Sequence, residues 1–101
     1  RRPDNPQLAV CLNNLAEACR RRGRDAEAEA SYRRSLAVNE AVHGPDHPAV
    51  AAVLQELAKL SASQGRSEEA ERLRERADTI FRRSVEAAER HTGQESLTLD
   101  L

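Results

Sequence analysis

The chain repeats itself. Arg2 to Arg24, RPDNPQLAVCLNNLAEACRRRGR, returns as Gly44 to Arg66, GPDHPAVAAVLQELAKLSASQGR, with Pro6 and Pro48 standing 42 residues apart. At the same separation Leu12 matches Leu54, Leu15 matches Leu57, Ala16 matches Ala58, Gly23 matches Gly65 and Ala28 matches Ala70. A fixed period of roughly 20 to 50 residues marks an architecture of stacked units, each burying its apolar face only against its neighbours. Surfaces of that kind serve binding more often than chemistry.

Within each unit the apolar residues recur at helical spacing. Leu8, Leu12, Leu15, Ala16 and Cys19 fall within one arc at about 100° per residue, which predicts a first A helix from about Pro6 to Arg22 with these side chains inward and Val10 on the border. Asn5 suits the N-cap, Pro6 the first turn, and Gly23 the left-handed stop. Asp25 is placed to cap a first B helix carrying Ala28, Tyr32, Leu36 and Val38 and ending at Gly44. Gly44-Pro45-Asp46-His47-Pro48 is a turn and a new helix start. It opens a second A helix from about Pro48 to Gln64, with Val50, Leu54, Leu57, Ala58 and Ser61 inward. The second B helix begins after Ser67.

That last helix breaks the period. YRRSLAVNEAVHG from Tyr32 realigns with FRRSVEAAERHTG from Phe81, now 49 residues on, so seven residues have been added. Seven residues are two turns and return the apolar stripe to within about 20° of its start, so the insertion lengthens the helix without rotating its buried face. The expected helix has about 24 residues and buries Ala70, Leu73, Ala77, Ile80, Ser84, Ala87 and His91. Phe81, Val85 and Ala88 join them on a wider arc in its last turns. The fold class is therefore all-α, built of helices stacked as a solenoid. The units cover about 6–44 and 48–92, the latter with a B helix extended by about two turns, and a third unit starts at about 95–101. Opening on Arg1 and stopping inside a copy of an A-helix start, the chain reads as a piece of a longer protein.

The 101 residues carry 16 Lys and Arg against 17 Asp and Glu, for a formal net charge of −1. Interspersed signs argue against nucleic acid or an anionic membrane as partner. Arg20, Arg21, Arg22 and Arg24, and the pairs Arg33-Arg34 and Arg82-Arg83, have acidic neighbours and no interleaved aromatics for base stacking. No stretch reaches the roughly 18 apolar residues of a membrane span. Cys11 and Cys19, eight apart on one helix, cannot bond to each other and read as small buried hydrophobes, which favours a reducing, cytoplasmic location. The serines have no His and Asp spaced for a triad and there is no glycine-rich phosphate loop, so no enzyme and no cofactor are expected. His43 and His47 flank Asp46 in a pattern that also suits a metal, but the turn and cap already account for them, and no metal is expected.

LNNLAEACRRRGRDAEAEASYRRSLAVNEAVHGPDHPAV closely resembles the 42-residue tetratricopeptide repeat of kinesin light chains and the proteins that share their repeat type. The resemblance rests on the LNNLA start, the turns at Gly23-Arg24 and Gly65-Arg66, and the GPDHP link. Departures are LQELA at Leu54 to Ala58, Cys19 and Ser61 where a large aromatic is usual, and the added heptad. The resemblance implies that each unit is an antiparallel helix pair and that the pairs form a right-handed superhelix whose A helices line a concave groove for extended peptides. It assigns the position of Asn13 to contact with peptide backbone, and a carboxamide, donor and acceptor at once, suits that task.

On the first A helix, Asn13, Glu17 and Arg20 share the face beside the apolar stripe. On the second, Gln55 keeps the carboxamide and Lys59 joins Arg20 in reaching for an acidic side chain or a C-terminal carboxylate. Asn14 projects away, toward a neighbouring unit or solvent. The expected function is thus a protein-interaction scaffold that binds a peptide segment of a partner. The alternatives are self-association through the long B helix and the open end, and, remotely, an RNA-binding helical repeat using the arginine clusters.

Overall fold

The computed structural model describes residues 5–100, with side chains placed up to residue 90. Four helices follow one another: α1 (Pro6–Arg21), α2 (Asp25–His43), α3 (Pro48–Ser63) and α4 (Ser67–Asp100). Connections of three or four residues force consecutive helices to lie antiparallel, and packing runs in series, α1 on α2, α2 on α3, α3 on α4. The fold is a stack of two helix pairs. No helix among the described residues is long and apolar enough to cross a membrane.

The ends of the helices are written locally. Asn5 Oδ1 accepts the Gln7 N–H at 2.9 Å and Pro6 occupies the first turn, where a missing N–H costs nothing. At the far end Gly23 adopts φ +77°; its N–H reaches Arg20 and that of Arg24 reaches Cys19, closing a Schellman motif. Gly65 repeats this at φ +81°, with Arg66 N–H on the Ser61 carbonyl. His47 caps α3 through Nδ1, which accepts the Ala49 N–H at 3.0 Å, and its ring stacks on His43 with centroids 4.1 Å apart. No cluster of three or more potential metal ligands occurs among the described residues. Asp25, expected as a cap, is instead the first residue of α2. Arg24 stands at the N-cap without a side-chain bond, and Asp25 acts through the favourable field of the helix N-terminus.

Three apolar clusters form the core. Leu12, Ala9 and Val38 join α1 to α2, with Leu8 and Val42 at the edge. Ala16, Ala28 and Tyr32 receive Val53, Leu57 and Leu60 of α3, and this is the contact between the two units. Val50, Ala51 and Leu54 pack on Ala77 and Ile80 of α4. Leu36 touches both of the last two clusters. Ser35, fully buried, bonds the Ala9 carbonyl and accepts from Asn39, so the polar groups enclosed between α1 and α2 satisfy each other.

The structure departs from the sequence expectation in several places. Leu57 is 1% exposed, yet Leu15, its repeat counterpart, is 53% exposed. Cys11 is exposed where Val53 is buried. The α3 face is covered by α2 of the first unit, and no described element covers the same face of α1. At the other end α4 has 34 residues rather than about 24. It runs beyond the reach of α3, so Ile80 is the last fully buried side chain among its described residues, and Val85, Ala87 and Ala88 are exposed rather than inward. The third unit expected at about 95 falls on α4, which continues to Asp100, and the side chains there, like His91, lie outside the described residues.

The two offsets found in the sequence also acquire distinct meanings. α2 and α4 begin 42 residues apart, and their buried positions correspond at that offset: Ala28 with Ala70, Ser35 with Ala77, Val38 with Ile80. The 49-residue match from Phe81 is therefore a second copy of α2's surface, carried two turns further along the same helix.

Candidate functional site

Between α1 and α3 lies a cleft of about 360 Å³. Asn13, Asn14, Glu17 and Arg20 line it from α1, Ala52, Val53, Glu56 and Lys59 from α3, and Tyr32 of α2 closes the floor. The helical repeat explains the two walls. Positions 13, 17 and 20 recur at four and three and share one edge of α1, while 52, 56 and 59 recur likewise on the facing edge of α3.

Four of the five residues singled out from the sequence thus come together: Asn13, Glu17, Arg20 and Lys59. Gln55 does not. It is exposed and outside the cleft, because the repeat counterpart of Asn13 occupies the edge of α3 that faces away from α1. Its place in the wall is taken by Glu56. Asn14, expected to project elsewhere, belongs to the lining. The sequence reading also missed Tyr32, whose helical spacing marks it only as core. That a core aromatic also floors a cleft depends on how α1 and α3 splay, and no residue pattern in α2 records that.

The charges are mostly matched in place. Glu17 Oε2 accepts from Arg21 at 3.1 Å, and Glu56 Oε2 holds Lys59 Nζ at 3.4 Å. Arg20, half-buried, has no ion pair among the described residues. Burial, chiefly, pushes the Tyr32 phenol above its ordinary pKa; the Glu56 and Glu17 carboxylates add to that and Arg20 opposes it, which puts all three charges within electrostatic reach of the floor. Asn13 Oδ1 is closed off from solvent and accepts no hydrogen bond, the one such side-chain atom among the described residues. An enclosed acceptor left without a donor costs about 1–3 kcal/mol. With the Asn13 amide turned about its terminal torsion, so that the carbonyl leaves its enclosed position, the cleft can accept an N–H there, meet a negative group at Arg20, and take a small apolar group against Ala52 and Val53.

Among curated proteins, no relative matches the chain. The family comparison is decisive: the tetratricopeptide repeat matches residues 7–90, which takes in α1 to α3 and most of α4 up to the last described side chain. With two stacked helix pairs, their glycine stops and a cleft between the A helices already in view, the chain belongs to the tetratricopeptide repeat family.

Proposed function

We propose that the chain is a non-catalytic adaptor that holds an extended peptide segment of a partner protein in the cleft between α1 and α3. Repeats of this family are in general protein–protein interaction scaffolds. The 42-residue period and the GPDHP link further ally the chain with the kinesin-light-chain type of repeat. The observation that carries the reading is the unbonded carbonyl of Asn13 in the same cleft as an arginine that has no carboxylate partner among the described residues. A peptide supplies both missing groups: a backbone N–H for Asn13 and an acidic side chain or C-terminal carboxylate for Arg20. Turning the Asn13 amide about its terminal torsion presents acceptor and donor in turn to a passing backbone. Glu17 and Glu56, tied to Arg21 and Lys59, set a limit on the ligand, which carries one acidic group and not a run of them.

The test is a set of variants titrated against peptides selected on the wild-type chain from a random library. Asn13→Ala combined with Arg20→Ala is expected to weaken binding about tenfold or more, the loss of one neutral and one charge-assisted hydrogen bond, with the thermal midpoint nearly unchanged. Gln55→Ala, outside the cleft, is expected to leave affinity as it was. Equal affinity of the double variant and the wild type would retire the proposal.

A further inference from the structure

We propose that this chain stacks head to tail on a second copy of itself, the exposed face of α1 in one copy seating on the overhang of α4 in the next. The joint would reproduce the contact that α3 already makes with α2.

The internal contact supplies the template. Leu57 and its neighbours Val53 and Leu60 sit against Ala28, Tyr32 and Leu36. Charged residues clamp the edges: Glu29 holds Arg66 at 2.7 Å, Arg33 holds Glu69 at 2.5 Å, and Glu40 holds Arg76 at 2.6 Å.

Both halves of this contact occur a second time in the chain, the α1 half exposed and the α4 half covered by α3 only at its near end, where Ala77 is buried and Phe81 partly so. Forty-two residues before the α3 side stand Cys11, Leu15 and Ala18, all exposed, in the places of Val53, Leu57 and Leu60. Forty-nine residues after the α2 side stand Ala77, Phe81 and Val85 in the places of Ala28, Tyr32 and Leu36. Leu15 and Val85 are 53% and 55% exposed, and they are two of the three large apolar side chains that the fold leaves in water among the described residues. The template brings these two together.

The charges decide which occupant fits. Moved by the same offsets, Glu29 and Arg66 become Asp78 and Arg24; Arg33 and Glu69 become Arg82 and Glu27; Glu40 and Arg76 become Glu89 and Arg34. In all three pairs the acid stays acid and the base stays base, each on its original side of the joint. An unrelated apolar helix would have no reason to match that order of signs, and a second copy of this chain matches it throughout. Arg24 already lies 3.7 Å from Glu27, as Arg66 lies 3.1 Å from Glu69, so the helix-start half of the clamp is in place before docking. The register is also set. At the 42-residue offset α4 would offer Arg74 and Asp78 where α2 has Tyr32 and Leu36, and two charges make a poor seat for Leu15. Two turns further on, Phe81 and Val85 restore the apolar seat.

Because the two faces differ, the contact is heterologous and leads to rows or rings rather than to a closed twofold pair. It is independent of the cleft and of any peptide.

Sedimentation velocity across a wide concentration range tests it. The wild type is expected to grow with concentration from monomer through dimer to longer species. Leu15→Glu and Val85→Glu, both surface changes, are each expected to stay monomeric with unchanged helix content by circular dichroism. Mixed together, these two are expected to form a one-to-one complex and stop there, since one retains a working α4 face and the other a working α1 face. Arg24→Glu should weaken assembly, and adding Asp78→Arg should restore it. A wild type that stays monomeric, a Val85→Glu variant that still self-associates, or a mixture that fails to pair would each overturn the proposal.

Discussion

Leu15 and Leu57 are the same residue at the same place in successive units, and their surroundings make them unlike. The Leu57 side chain is enclosed by Ala16, Ala28 and Tyr32, while Leu15 meets solvent. Removing a buried leucine loses the transfer free energy of its methyl groups and opens a cavity, about 2–5 kcal/mol in all. Leu57→Ala should therefore lower the urea midpoint by a large part of a total stability that is only about 5–15 kcal/mol for a domain. Leu15→Ala, measured in dilute protein, should shift it by less than about 0.5 kcal/mol. Equal shifts for the two would mean that the face of α1 is covered after all. Asn13 teaches the converse lesson at the same scale: that a carboxamide stands beside the apolar stripe was legible, and that its carbonyl is enclosed without a donor among the described residues was not.

The helices owe their limits to local chemistry, and most of those limits were legible. Asn5, Pro6, Gly23, Pro48 and Gly65 mark starts and stops to within a residue, because caps and left-handed glycines act within one turn of chain. Gly65 illustrates the energetics. A Cβ built there would meet nothing within 4 Å, so Gly65→Ala brings no clash, only the strain of an L-residue at φ +81°. The expected cost is about 1 kcal/mol or somewhat more, read as a lower thermal midpoint with the helix content intact. No change would show that the turn relaxes to another shape. The end of α4 was misjudged because no stop residue acts before Gly93, and a glycine inside a helix is tolerated where a left-handed turn is not formed.

At the scale of the molecule the two units are joined by apolar packing and by the network of Glu29, Arg33, Arg66 and Glu69. Hydrogen bonds from Arg66 hold the Glu29 carboxyl below the usual glutamate range against the opposing effect of burial, with Arg33 helping. A carboxyl whose pKa is lower folded than unfolded stabilises the fold at pH values above its ordinary pKa of about 4.3, and that contribution fades as pH falls from there through the folded value. Glu29→Gln should thus lower the denaturation midpoint at neutral pH and flatten its fall between about pH 5 and 3. Parallel curves for variant and wild type would show that the joint between units does not depend on this carboxylate. Being partly exposed, the network adds modestly to stability. Its larger effect is on register, since it ties one pair of helix turns to another.

By itself the sequence determined the helices, their order, the period of the stack and the edge of α1 that carries Asn13, Glu17 and Arg20. These follow from spacing and capping, which act within a few residues of chain. Only the tertiary structure decided which copy of each repeated side chain is covered, that Glu56 rather than Gln55 lines the cleft, and that Tyr32 closes it. The reason is that a repeat writes the same face twice, whereas burial depends on whether a neighbouring unit stands against that face, and no residue within the unit can encode its neighbour's presence.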